Sequence, residues 1–190
     1  IEISWEATTE SNADPKYVAY VESKIAGLDP KRDAILVHYT GVLAEVCKKA
    51  LERGIGVFAV STDDDMAPEE KRYRLSYVGQ EHFQAGRYNV SYIVQKGLLK
   101  KGDRACIGMG ERGIETIELR GKGIASALEE VGCVIDYLTY SYEPANVAPR
   151  MEAYYRGHPD VKAFFACDGT MAQGIESFMK NVGLKPGELP

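Results

Sequence analysis

The sequence is poor in the patterns that announce catalysis or a metal centre. Its four cysteines, Cys47, Cys106, Cys133 and Cys167, form no C-x-x-C pair, and none stands at ligand spacing from a histidine. Each lies in an apolar context, as small buried thiols do, and a Cys106–Cys133 disulfide stays open if their strands are neighbours. The three histidines, His38, His82 and His158, are widely scattered. No G-x-S-x-G elbow, P-loop or H-E-x-x-H helix occurs. The run Asp63-Asp64-Asp65 lacks the glycine and the alternation of a calcium loop and reads as a solvated turn. No catalytic residue, metal or cofactor is therefore expected. No basic run or stripe occurs and the formal net charge is −5, which argues against a nucleic-acid partner. No apolar stretch approaches the roughly 20 residues of a membrane span.

What is present is an ordinary globular balance, 45% hydrophobic and 27% charged over 190 residues, enough for one large or two small domains. Apolar runs alternate with helical periodicity. Ile1 to Glu6 reads as a strand, and Asp14-Pro15 as the cap and first residue of a helix that repeats through Val18, Val21 and Ile25. Ala34 to Val37 is a continuous apolar run, as in a strand covered on both faces. A helix from Val42 to Arg53, a strand from Gly56 to Val60, a charged loop-like stretch from Met66 to Lys71 and a strand from Arg74 to Val78 follow. A helix from Glu81 to about Gln95 comes next. Beyond it lie a strand around Ala105 to Ile107, a helix to Val131, a strand from Val134 to Leu138, a loop from Tyr140 to Asn146 and a helix from Val147 to Gly157. A strand from Val161 to Ala166 and a helix from Met171 to Val182 close the alternation, which implies a parallel sheet flanked by helices. The sequence opens on Ile1 in a strand-like run and stops on a turn at Pro190, so both ends of the polypeptide are expected to be missing, and a secretory leader before Ile1 stays open.

Ligands of such sheets meet the loops after the strands. Here those loops hold His38-Tyr39-Thr40, Ser61-Thr62-Asp63, Gly108 to Arg112, Tyr140 to Glu143, and Asp168. Carboxylates, hydroxyls, guanidinium groups and aromatic faces suit a polyol: a carboxylate can accept from two vicinal hydroxyls, arginine can donate to ring oxygens, and tyrosine can cover a C–H face. Gly108, Gly110 and Gly113 also spell G-x-G-x-x-G, which makes a nucleotide-dependent oxidoreductase an alternative. That alternative wants an acidic residue about 20 positions on at a strand end, and Asp136 is farther away and in mid-strand. The glycines are expected to shape a turn. Gly169 beside Asp168 suggests a close backbone approach.

An ordered set of motifs resembles the sugar-binding periplasmic proteins of the ribose/galactose type. It comprises Ile55 to Val60, Tyr77-Val78-Gly79-Gln80-Glu81-His82-Phe83-Gln84-Ala85-Gly86-Arg87, Leu119 to Ile124, His158 to Phe165, and Asp168 to Gly174. The resemblance implies an α/β fold of two doubly wound parallel-sheet lobes joined by a hinge, the type I periplasmic-binding-protein arrangement. The first lobe would span 1–79 and the second 80–190, each partial. It implies that Arg120 hydrogen-bonds a sugar, that Asp168 stands at an Asn/Asp ligand position, and that Tyr142 supplies a ring. Ser61 and Thr62 stand where the ribose binder has an acid and an arginine, and Gly169 replaces a common Asp. Tyr39 completes the candidate ligand-binding set from the first post-strand loop. The implied function is that of a non-enzymatic receptor, periplasmic or extracellular with a lipid anchor left open, which delivers a monosaccharide to the permease of an ABC transporter by hinge closure, as a monomer. The effector-binding core of a LacI-type transcriptional repressor shares this fold and is the first alternative, ahead of the oxidoreductase.

Overall fold

The computed structural model describes residues 15–61 and 68–185. The expected strand over Ile1–Glu6, the cap Asp14, the acidic run Asp63–Asp65 and the candidate Thr62 lie outside the described residues. The chain divides into two compact units, Ile1–Gln80 and Glu81–Pro190.

In the first unit, α1 (Pro15–Ala26) leads to β1 (Ala34–Val37), a short 3₁₀ turn (Gly41–Leu43) and α2 (Ala44–Glu52). Then come β2 (Gly56–Val60), α3 (Pro68–Lys71) and β3 (Ser76–Val78). The strands run parallel in the order β1-β2-β3, with Ile35 beside Val57 and Ala59 beside Tyr77. Tyr17, Val21 and Ile25 of α1 and Val46, Cys47 and Ala50 of α2 pack with Val37, Val57 and Ala59. Three expectations change here. The stretch Met66–Lys71 carries a helical turn. The helix expected from Val42 begins with the 3₁₀ turn. The strand expected from Arg74 is confined to three residues. Nor is β1 covered on both faces. Successive side chains point to opposite faces, and the face opposite Val37 leaves Leu36 60% exposed and, on β3, Val78 68% exposed.

In the second unit, α4 (His82–Gln95), β4 (Arg104–Met109), α5 (Glu115–Val131), β5 (Val134–Thr139), α6 (Pro144–Gly157), β6 (Val161–Ala166) and α7 (Gly169–Val182) follow in strict alternation. The sheet is parallel in the order β5-β4-β6. Ala105, Ile107 and Met109 face one apolar layer with Val90, Ile124 and Leu128 of α4 and α5. On the other face Leu138, Tyr140, Phe164 and Ala166 pack with Met151, Met171 and Phe178 of α6 and α7. The sheet is thus doubly wound. Helix α6 starts three residues before the expected Val147, with Pro144 at its first position, and tolerates Pro149 inside it. All four cysteines are free thiols, three of them buried.

Two of the motif glycines are explained by one contact. A Cβ on Gly123 of α5 would collide with the Phe83 carbonyl of α4, and one on Gly86 of α4 with the Arg120 carbonyl of α5. The helices therefore meet backbone to backbone at this crossing, and the contact holds the main chain of Arg120. At the opposite end of the sheet, Arg104 donates to Asp136 at 2.5 Å and to Asp160 at 3.0 Å, while Tyr154 of α6 donates to Asp136 at 2.7 Å. His158 packs edge-on against Tyr154, ring centroids 4.6 Å apart.

Candidate functional site

The strand order places the candidate site. From β4 the chain winds to one side, to β5, and then crosses back to β6 on the other side of β4. Helices α5 and α7, which follow the neighbours β4 and β6, lie on opposite faces. Beyond the carboxyl ends of β4 and β6 is the topological switch point, where open α/β sheets hold ligands. Gly110 ends β4 there, Asp168 follows β6, and Tyr140 to Tyr142 follow β5.

Asp168 joins these three loops. Its Oδ2 accepts from the Gly110 amide at 2.8 Å and from the Tyr140 hydroxyl at 2.8 Å, and its Oδ1 accepts from the Thr170 amide at 2.9 Å. It is also the N-cap of α7, so the helix begins at Gly169, two residues before the expected Met171. A capping carboxylate satisfies an amide that the helix leaves unbonded. Because three acceptor positions of Asp168 are filled by protein donors, its carboxylate does not have two free oxygens to span vicinal hydroxyls. Beside Gly169 no protein atom stands within 4 Å of where a Cβ would be, so no other part of the described chain approaches its backbone there.

Tyr140 is fully buried. Burial, and then its bond to Asp168, push its phenol well above the ordinary tyrosine value, so it remains a donor across the physiological range. Tyr142 is half-buried, and burial followed by the charge of Asp168 raises its phenol to about 12. Ser141 and Tyr142 both have left-handed backbone, φ 58° and 52°, a costly conformation for side chains with a Cβ and one that clusters at ligand sites. The reason is local: Ser141 donates its amide to the Gly110 carbonyl at 2.7 Å, and the Tyr142 ring lies where a Cβ on Gly110 would be.

Arg120, half-buried on α5, donates through Nη1 to the Cys167 carbonyl at 2.9 Å. That carbonyl belongs to the residue before Asp168, so Arg120, Asp168 and Tyr142 share one rim of the second unit. Arg112 pairs with Glu118 at 2.9 Å and stacks over Tyr137, its guanidinium carbon 5.2 Å from the ring centroid. It braces the turn rather than the rim.

The three fingerprint glycines have separate duties. Gly108 lies against Met171, Gly110 against Tyr142, and Gly113 adopts φ 84° in open space. The close backbone approach a pyrophosphate needs is taken at the first two by side chains of the protein, and Asp136 is engaged by Arg104 and Tyr154. Neither element of a dinucleotide site is available.

In the first unit, Ser61 follows β2 with φ 65°. Its amide donates to the Val78 carbonyl at 3.1 Å, and its carbonyl accepts from the Tyr77 hydroxyl at 3.3 Å. Tyr39 is 0% exposed, packed within the apolar cluster of that unit. Tyr140 and Gly110 stood in the post-strand loops read from the sequence but were not in the candidate ligand-binding set. The signal for Tyr140 was its phase: it continues the alternation of Asp136 and Leu138 that faces α6 and α7. Among the described residues no group of three or more His, Cys, Asp or Glu is gathered as metal ligands, and no helix is long and apolar enough to cross a membrane.

The periplasmic binding protein domain matches residues 4–189. The chain belongs to that family. Among curated relatives, the xylose/arabinose-binding protein of Sulfolobus acidocaldarius is 31% identical over 144 residues, 72% of this chain and 34% of its own length. The D-ribose/D-allose-binding protein of Pseudomonas aeruginosa is 28% identical over 145 residues, 74% and 44%. The chain thus spans less than half the length of either, and both are named as binding proteins, not as enzymes. A periplasmic sugar-binding protein structure from Legionella pneumophila superposes with TM-score 0.76 at 21% identity, covering 89% of this chain and 60% of its own. A solute-binding protein from Actinobacillus succinogenes with bound D-allose gives 0.74 at 25%, covering 88% and 60%. Family and architecture agree with the resemblance carried by the motifs.

Proposed function

We propose that the protein is an extracytoplasmic solute receptor that binds a monosaccharide and delivers it, as a monomer, to an ABC-transporter permease. One observation carries this reading: in a chain of the periplasmic binding protein family, Arg120, Tyr142 and Asp168 share one rim at the switch point of the second sheet. A guanidinium to donate, a ring to cover a C–H face and a fixed carboxylate are the chemistry of polyol recognition. The pentose and aldohexose names of the relatives give the ligand class to test first. Ser61 and Thr62 are the contacts proposed from the first unit, while Tyr39, buried in that unit's apolar cluster, supports the loop after β1 from within. Ligand-driven closure about the segment joining the units is the mechanism, with the sugar stabilising the closed form.

A melting experiment with D-ribose, D-allose, D-xylose and L-arabinose tests this. A ligand at a hundredfold excess over its Kd adds about 2.7 kcal/mol, so one of the four should raise the midpoint by several degrees. If none of them moves it, the reading is wrong. Arg120→Ala should weaken the active sugar by about a hundredfold, the scale of one or two hydrogen bonds to a charged group, with the ligand-free midpoint nearly unchanged. Calorimetric titration measures the loss, and retained affinity would remove Arg120 from the site.

A further inference from the structure

An ionised carboxylate offers about four acceptor positions. In Asp168 both positions of Oδ2 are filled, by the Gly110 amide and the Tyr140 hydroxyl, and one of Oδ1 is filled by the Thr170 amide. Each donor comes from a different strand end of the sheet: β4, β5 and β6. The bond to Gly110 spans the switch-point crevice itself. Gly110 is also held from its other side, where its carbonyl accepts from Ser141, and its bare Cα is the seat of the Tyr142 ring. One residue before Asp168, the Cys167 carbonyl receives Arg120. A shift of Asp168 therefore moves the seat of the ring and the anchor of the guanidinium together.

We propose that Asp168 is a positioning residue of the sugar site, a clamp that locks three loops into one preformed wall and leaves a single acceptor position on Oδ1 for one ligand hydroxyl. This rests on the sugar-binding reading above. Discrimination between neighbouring hydroxyls then falls to Arg120 and to the residues facing it, because Asp168 cannot bridge a vicinal pair. Tyr140 is what separates the clamp from a plain ligand contact: its ring is buried in the α6–α7 layer, and its hydroxyl bonds Asp168.

The test uses the natural full-length protein with Asp168→Ala, Asp168→Asn, Tyr140→Phe and the double variants. In ligand-free protein, hydrogen exchange at the Gly110 and Thr170 amides should accelerate about tenfold or more in Asp168→Ala, as expected when a part-buried bond to a charged acceptor is lost. Titration with D-ribose, D-allose, D-xylose and L-arabinose should give about a tenfold weaker Kd in Tyr140→Phe, from one lost hydrogen bond. Adding Tyr140→Phe to Asp168→Ala should cost nothing further, since the hydroxyl acts only through the carboxylate. Asp168→Asn, which keeps the shape and one acceptor oxygen, replaces the alanine variant in that cycle if the latter does not fold. Unchanged exchange at Gly110 overturns the clamp, and additive losses in the cycle overturn the claim that it acts on the ligand. If none of the four sugars binds the wild-type protein, the binding reading falls and takes the ligand half of the proposal with it, while the exchange data alone still decide the clamp.

Discussion

The two units solve the same problem, holding loops at the carboxyl ends of parallel strands, by different means. In the second, side chains do it: Asp168 ties three loops, Arg120 is anchored on Cys167, and the sheet beneath is covered on both faces. In the first, Ser61 at the end of β2 is held by a few hydrogen bonds to its backbone. Ser61 donates to Val78, and the Tyr77 hydroxyl reaches both the Ser61 and Gln80 carbonyls, the latter at 2.9 Å. One sheet face there leaves Leu36 and Val78 largely in the open. The difference separates rigidity made by burial from rigidity made by a few hydrogen bonds. The rim of the second unit is preformed by packing, while Ser61 of the first unit rests on local hydrogen bonds.

The largest effect comes from breaking the packed side. Gly123→Ala sets a methyl group against the Phe83 carbonyl, and backbone cannot swing away as a side chain can. Overpacking against rigid backbone falls at the upper end of the usual range, about 3 kcal/mol, and the better helix propensity of alanine returns only about 1 kcal/mol. Urea unfolding should therefore show a net loss of about 2 kcal/mol. Gly121→Ala, two residues away on the same helix, is the control. Its Cβ would meet the flexible end of Met109 at 3.2 Å, so it should come within about 1 kcal/mol of wild type. Equal losses in both would mean that the α4–α5 crossing is not held backbone to backbone.

The same contrast explains what could be read in advance. The order of strands and helices was legible because parallel strands inside a doubly wound sheet are short apolar runs, and Val161–Ala166 was placed to the residue. Where periodicity fails, reading failed: Pro68–Lys71 is helical but carries no apolar spacing, and the start of α6 is set by Pro144 at its first turn. Asp168 shows the limit most clearly. A helix cap and a ligand carboxylate look alike in sequence. What fills its oxygens includes a tyrosine 28 positions away, whose approach exists only after β5 and β6 have taken their places on either side of β4. Gly86 and Gly123 were visible as motif letters, but their purpose needed the helix crossing.

A smaller, pH-dependent effect belongs to the far end of the second sheet. Burial works against the Asp136 carboxylate, but the bonds from Tyr154 and Arg104 outweigh it and hold its pKa below the ordinary value. The same arginine lowers Asp160. A group depressed in the folded state contributes stability that is present above its unfolded pKa, about 3.9, and is lost as pH falls through the folded value. Unfolding midpoints measured from pH 5 downward should therefore decline below about pH 4. Asp136→Asn should start from a lower midpoint at pH 7 and decline less steeply. An unchanged acid limb in the variant would mean that this ion cluster contributes nothing to acid stability.

The smallest effect tests the first unit where it is most exposed to challenge. Ser61 has φ 65°, a region that costs a residue with a Cβ about 1–2 kcal/mol and glycine nothing. Glycine also widens the unfolded ensemble, which takes back about 0.4–1 kcal/mol. Ser61→Gly should therefore raise ligand-free stability by less than about 1 kcal/mol, because the backbone bonds to Val78 and Tyr77 need no side chain. If the serine hydroxyl is a sugar contact, the same variant should weaken sugar binding by about tenfold, the value of one hydrogen bond. Stability and affinity would then move in opposite directions, the mark of strain kept for a ligand. Affinity that stays level while stability rises would leave Ser61 as a turn residue and place the first unit's contacts elsewhere.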